Sequence, residues 1–141
     1  METEIKAMLA TFSGYIGTFS LSDLVNVRIT QRSSFLVVDL GDSLIALAIY
    51  CSALQTVVYI CDSIGALSSG LPPQLTKFIM NAFTNSIVYI TNQLSSYTCV
   101  KYIILFLHEM SNNHSYSTYL SNFSDNLELN DYISNYLYKQ L

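Results

Sequence analysis

The sequence predicts an all-α fold: one domain over residues 1–141, in which amphipathic helices form a bundle around a hydrophobic central helix. The first observation is the segment 86–110, which contains neither Gly nor Pro and is apolar nearly all round in its second half. A helix without a polar face is buried, so other elements must cover it. The second observation is that amphipathic segments precede and follow this one.

Apolar residues at helical spacing predict the surrounding helices, and polar or Pro-containing segments separate them. Counted with the central helix, they make a bundle of about seven, and the boundary between the second and third stays open. These helices are expected at residues 3–19, 35–52, 53–67, 75–84, 116–127 and 133–141. Residues 21–32 alternate apolar and polar side chains, but a single strand cannot build a sheet, so they are predicted to be an extended linker.

Composition excludes some functions. The chain is 51% hydrophobic and 11% charged, and its six Lys and Arg residues are scattered in a chain of net charge −4. No cationic stripe is present to neutralise phosphates, so nucleic acid is not an expected partner. Cys51, Cys61 and Cys99 form no CxxC pair and leave one cysteine over in any disulfide scheme. They are predicted to be small buried residues of a protein in a reducing, cytoplasmic compartment.

A membrane location is the main alternative. Residues 43–61 are nineteen positions without a charge, enough for a spanning helix. Asp39, Asp42 and Asp62 bracket them, where basic flanks would be expected. The amino terminus is acidic and is not typical of a signal peptide. A small multispanning membrane protein therefore remains open beside the bundle.

Catalytic chemistry is not predicted. The two histidines, His108 and His114, accompany no GxSxG elbow, and the sequence has no structural zinc spacing. His108, Glu109 and His114 are conceivable metal ligands, but a histidine near a helix carboxyl end has a simpler electrostatic explanation. We therefore expect no enzyme, no catalytic residue, no metal and no cofactor.

One short motif is informative. Val37, Leu40 and Leu44 fall on one helical face with Gly41 beside them, followed by Asp42. The eight residues 37–44 resemble the third homology motif of the Bcl-2 family of apoptosis regulators. That motif is an apolar residue, three spacers, Gly-Asp, and an apolar residue two positions further on.

The order of the other elements adds to this resemblance. Asn85 opens the apolar segment and matches the Asn of the family's Asn-Trp-Gly-Arg motif, whereas Ser86, Ile87 and Val88 depart from it. Tyr132-Ile133 resembles the Trp-Ile of the second homology motif. The short chain is most similar to viral members of the family.

The resemblance implies a Bcl-2-like bundle that inhibits apoptosis in the host cytoplasm, with the mitochondrial surface as an alternative location. Its implied partners are pro-apoptotic Bcl-2 relatives with Bim-, Bak- or Bax-like helices, captured in a hydrophobic groove. By resemblance the groove residues are Leu44, Ala48, Phe78, Ala82 and Asn85. A homodimer, and a helical scaffold without a peptide groove, stay open as alternatives.

Overall fold

The fold is α/β, which corrects the predicted all-α bundle. The structure is a computed structural model that describes residues 3–83, 85–113 and 115–141. The strands are β1 (Tyr15–Ser20), β2 (Ser33–Asp39), β3 (Leu44–Cys51), β4 (Thr56–Cys61) and β5 (Ser86–Ile90). The helices are α1 (Thr3–Ala10), α2 (Pro73–Ala82), α3 (Val100–Asn113), α4 (Tyr116–Ser121) and α5 (Leu127–Lys139), with a short 3-10 helix at Ser22–Asn26.

The five strands form one mixed sheet in sequence order, β1-β2-β3-β4-β5. The two outer pairs, β1 with β2 and β4 with β5, are parallel, whereas β2, β3 and β4 are joined by antiparallel pairing. Tight turns connect the antiparallel strands, while α2 carries the chain from β4 to β5. The outer edges of the sheet are therefore β1 and β5.

The central strands have a sequence pattern that predicts helices because they are apolar on both faces. Five consecutive residues of β3, positions 45–49, are fully buried, and β2 is buried to the same extent over 34–38. A strand covered on both faces loses the alternation of period two that distinguishes it from a buried helix. Val, Ile and aromatic residues, which pack well on a pleated surface, are frequent in these segments.

Helices cover both faces of the sheet and create two cores. On one face α3 packs against the sheet, with α1, α4 and α5 around it. On the other face α2 and the 3-10 helix cover β2, β3 and β4. The buried helix α3 occupies only the second half of the predicted segment 86–110, because the first half forms β5 and the loop after it. None of the helices in the described ranges has the length and apolarity needed to cross a membrane.

Gly41 lies in the turn between β2 and β3, not in the middle of a helix as predicted. Its φ is +106°, and a Cβ at this position would meet no atom within 4 Å. The Asp39 carboxylate accepts a hydrogen bond from the Gly41 N–H at 2.8 Å, and the Leu40 N–H donates to the Ser43 carbonyl at 2.9 Å. The glycine is therefore required by backbone conformation and not by helix packing.

Candidate active site

The five predicted groove residues do not lie together. Leu44 and Ala48 are on β3 and belong to the core beneath α3, whereas Phe78 on α2 packs against the opposite face of the sheet. Ala82 and Asn85 are exposed. Asn85 does not open a central helix: it precedes β5 with a φ of 55°, and its side-chain amide donates to the Leu54 carbonyl at 2.9 Å. The helical groove for which these residues were predicted is not formed.

Polar residues converge instead where β4 ends and α3 begins. The hydroxyl of Ser63 donates to the carbonyl of Thr98 at 3.2 Å. The carbonyl of Ser63 accepts the N–H groups of Leu94 and Ser95, at 2.7 and 2.9 Å. The Asp62 N–H donates to the Thr91 hydroxyl at 2.9 Å. These bonds hold the loop of residues 91–99 against the end of β4. They thereby also position Cys99, the residue directly before α3.

Asp62 stabilises the chain on the other side of this junction. Its carboxylate is buried, and its two oxygens accept the N–H groups of Ala66 and Leu67, each at 2.8 Å. Backbone donors can therefore satisfy a charge that would otherwise be costly to bury. The carboxylate closes the turn after β4 and fixes the position of its neighbour Ser63.

Cys99 brings a partly exposed thiol to this junction. It is half-buried, directly precedes α3, and its carbonyl accepts the first helical hydrogen bond, from the Ile103 N–H at 3.0 Å. The N–H groups of Val100, Lys101 and Tyr102 precede that bond and have no acceptor within the helix. Such donors and the helix dipole favour negative charge at this end of α3. A carbonyl oxygen that gains charge beside Cys99 would be stabilised there.

The other two cysteines have different surroundings. Cys61 is fully buried, and burial raises the pKa of its thiol to about 12 despite the hydrogen-bonding contact with Tyr119, whose oxygen is 3.5 Å from the sulfur. A buried thiol of high pKa is unreactive. Cys51 ends β3 and is partly exposed. All three cysteines are free, and the prediction that all are buried is wrong for Cys51 and Cys99.

No imidazole in the described residues adjoins Cys99. His108 lies nine residues further along α3, about 13 Å by helical rise, and its ring contacts Phe12 edge to face at a centroid distance of 5.8 Å. His114, the second predicted metal-ligand candidate, lies outside the described residues. Within the described ranges no three His, Cys, Asp or Glu side chains are grouped to hold a metal ion. A thiol–imidazole pair is thus not formed by the described residues.

Sequence reasoning missed Cys99 because it treated residues 86–110 as one helix. A helix beginning at Val100 would have placed the cysteine at its amino end, after the polar residues Ser95, Ser96 and Thr98. The hydroxyl of Ser95 accepts the N–H groups of Tyr97 and Thr98 just before the helix, as expected of a hydroxyl residue near a helix start. A cluster of small hydroxyl residues is typical of the residues before a helix start.

Comparisons with known proteins place the fold. No family model matches the sequence, and no curated protein matches it. Among solved structures, the chain is similar to the ASFV pS273R protease, with 8% identity and a TM-score of 0.57 over 92% of this chain and 62% of the protease. It is also similar to AvrA delL154, solved with IP6 and CoA, with 10% identity and a TM-score of 0.56 over 90% of this chain and 53% of AvrA.

The chain has an α/β fold that resembles that of a protease, and at these identities the likeness concerns the fold alone. The chain spans about three-fifths and about half of the two compared chains. The resemblance to the Bcl-2 family is therefore wrong, because an octet that forms a strand and a turn was read as a helix.

The predicted inhibition of apoptosis falls with the fold on which it depended, and neither the membrane protein nor the helical scaffold gains support. The exclusion of an enzyme is also overturned, since the chain has the fold of a protein that is a protease by name. That exclusion rested on missing sequence motifs, which a site assembled from a strand end and a helix start need not contain.

Proposed function

We propose that this protein is a cysteine-dependent acyl-transfer enzyme in which Cys99 is the nucleophile. The observation that supports the proposal is the position of this half-buried thiol at the amino end of α3, held by hydrogen bonds to the end of β4. Its sulfur attacks an acyl carbon, and the N–H groups at the start of α3 stabilise the resulting oxyanion.

The surroundings of Cys99 point to thioesters as donors. The leaving group of an amide is an amine, which needs a proton from a general acid, usually imidazole. The leaving group of a thioester is a thiolate, which needs no proton. His108 is too far along α3 to supply that proton. AvrA was solved with CoA, a thiol whose acyl derivatives belong to this class. We therefore expect acyl thioesters to react much faster than amides.

The bonds balance in a simple exchange. The Cys99 thiol loses its proton to solvent, a sulfur–carbon bond forms at the acyl carbon, and the carbon–sulfur bond of the donor breaks. The departing thiolate takes up a proton from solvent. The acyl group is now bound to the sulfur of Cys99. A water molecule or an amine of the acceptor then attacks this thioester and regenerates the thiol.

Intact-protein mass spectrometry after incubation with S-acetyl-N-acetylcysteamine tests the proposal. We expect the mass to rise by one acetyl group, located on Cys99 by peptide mapping, and no adduct with the matching acetamide. Cys99→Ser should abolish the adduct, and Cys51→Ser, at the other partly exposed cysteine, should leave it unchanged. Persistence of the adduct in Cys99→Ser, or a folded parent that shows neither the adduct nor catalysed hydrolysis of the thioester, would refute the proposed nucleophile.

A further inference from the structure

Asn85 has a backbone conformation that is rare for its residue type. Its φ is +55°, and no other non-glycine residue in the described ranges has a positive φ. Positive φ values are sterically unfavourable for residues that carry a Cβ, although Asn adopts them more readily than most. The residue is exposed and directly precedes β5. Asn85 therefore has little conformational stability to lose when its backbone rotates.

The peptide nitrogen of the next residue, Ser86, takes no part in the pairing of the described strands. The Thr56 N–H donates to the Asn85 carbonyl, and the Thr91 N–H donates to the Ile60 carbonyl. Because the amide groups of alternate strand residues point to opposite sides, the odd-numbered residues of this segment face β4. Ser86 therefore directs its N–H away from β4, to the side of β5 where no described strand is paired.

The side-chain amide of Asn85 is held by a bond at the protein surface. Its nitrogen donates to the Leu54 carbonyl at 2.9 Å, and this bond is exposed to solvent. Water can replace an exposed hydrogen bond at small cost. The sequence has no Asn-Gly pair, and Asn85-Ser86 is its one Asn-Ser pair. Serine is small and not branched by carbon at Cβ, so it leaves its own peptide nitrogen accessible.

We infer that Asn85 is a site of spontaneous deamidation, with water and buffer base as the only reactants. Base removes the Ser86 N–H proton, this nitrogen bonds to the side-chain amide carbon of Asn85, and the carbon–nitrogen bond of the amide breaks. The leaving nitrogen takes up a proton and departs as ammonia, and a cyclic succinimide remains. Water opens the ring at either carbonyl, so aspartate or isoaspartate replaces the asparagine. Asparagine is a thermolabile residue in proteins.

Both products change the contact with Leu54. The amide that donated to the Leu54 carbonyl becomes a carboxylate, which cannot donate and is repelled by the carbonyl oxygen. The turn between β3 and β4, which contains Leu54, then loses its side-chain bond to the start of β5. Isoaspartate also lengthens the backbone, which disturbs the bond between the Thr56 N–H and the carbonyl of residue 85. The aged protein is therefore less stable than the fresh protein.

Peptide mapping of the folded protein after incubation in warm, mildly alkaline buffer tests the inference. We expect the Asn85 peptide to gain the mass difference between an amide and a carboxyl group, and to separate into aspartate and isoaspartate forms. Asn26 and Asn92 are internal controls. Both are exposed but precede residues larger than serine, so they should stay intact while Asn85 converts. A sample digested without incubation corrects for deamidation during the digest.

Two variants separate the amide from the residue that attacks it. Asn85→Gly adopts a positive φ without strain, so it should remain folded and show no mass change in this peptide. Ser86→Val keeps the asparagine but crowds the attacking nitrogen, and the conversion should be slower. An Asn85 that stays intact in the folded parent but converts in urea would overturn the inference. Conversion of Asn26 or Asn92 at the same rate would equally reject a special reactivity of this site.

A third variant tests the effect of the product on stability. Asn85→Asp carries the side chain that deamidation creates, and it should melt at a lower temperature than the parent because the bond to Leu54 is lost. Asn92→Asp adds the same charge at another exposed position and should melt with the parent. If Asn85→Asp also melts with the parent, the inferred loss of stability is wrong.

Discussion

The hydroxyl of Ser63 donates to the carbonyl of Thr98 at 3.2 Å, so the end of β4 is bonded to the residue directly before Cys99. Ser63 is fully buried, and its carbonyl accepts two further N–H groups from the same loop. One residue therefore sets how far the start of α3 lies from the sheet. The geometry at Cys99 depends on a contact between positions 35 residues apart.

The contact between Ser63 and Thr98 can be removed without changing the thiol. Ser63→Ala should lower the free energy of unfolding by about 1 kcal/mol, the usual loss for one hydrogen bond, and should slow acetylation of Cys99 because α3 is positioned less firmly. Urea unfolding and the rate of adduct formation measure the two effects. Ser68→Ala, at an exposed serine in the same segment between β4 and α2, should change neither. An unchanged acetylation rate in Ser63→Ala would show that the loop is held by its other bonds.

Replacing the Asp62 carboxylate by a neutral side chain should lower the stability of the fold. Its two carboxylate oxygens accept the N–H groups of Ala66 and Leu67, and Asn offers only one such acceptor and turns a donor toward the other N–H. We expect Asp62→Asn to lose about 2 kcal/mol of stability, since hydrogen bonds to charged groups contribute more than neutral ones. Asp42→Asn, in the exposed turn between β2 and β3, is the control and should be near neutral. Equal stabilities for the two variants in urea would contradict the role given to Asp62.

Asn130 on α5 anchors the loop before Cys99 from the other side. Its fully buried side-chain amide donates to the carbonyls of Leu94 and Ser124, at 3.0 and 2.8 Å, and its oxygen accepts the Ser124 N–H at 2.8 Å. Asn130→Asp replaces the donor by an acceptor that faces two carbonyls, which should cost at least about 2 kcal/mol.

Thermal unfolding measures the effect of Asn130→Asp, and Asn92→Asp, at an exposed position, controls for the added charge. If both variants melt at the same temperature, the anchoring role of Asn130 is wrong.

The buried thiol of Cys61 should make stability fall in alkaline solution. Burial raises its pKa from 9.0 to about 12, so above about pH 9 the unfolded chain loses a proton that the folded chain keeps. Stability then decreases as the pH rises, by up to about 1.4 kcal/mol per pH unit. The stability that the neutral Cys61 thiol contributes is complete below pH 9.0, its pKa in the unfolded chain. It is lost as the pH rises from there to about 12, its pKa in the folded chain.

Cys61→Ser, which has no thiol to titrate, should show a flatter decline from about pH 9 to about pH 10, before tyrosines ionise. Urea unfolding in reducing buffer at several pH values gives the comparison. Cys51→Ser, at a partly exposed thiol, is measured beside it as the control for removal of a cysteine. Parallel curves for the parent and Cys61→Ser would show that this thiol does not carry the effect.

The sequence by itself determined which segments are buried and where several helices lie. The apolar spacing predicted a helix at residues 75–84, of which α2 covers 75–82, and one at 116–127, of which α4 covers the first half. The second half of the apolar segment 86–110 is the buried helix α3. Such helices can be predicted from the sequence because their apolar residues recur at the helical period over neighbouring turns, or fill all faces of the helix.

Only the tertiary structure decided that the apolar runs at β2, β3 and β4 are strands. The runs at β2 and β3 are buried on both faces, and the residues of β4 that alternate with its buried ones are still partly covered. Helix and strand are therefore equally consistent with their composition, and the pairing of Val37 with Ala46 and of Ala46 with Cys61 settles the choice. The candidate site has the same origin. Ser63 and Cys99 are separated by a helix, a strand and a loop, and no local pattern places them together; strand pairing and the packing of α3 on the sheet do so.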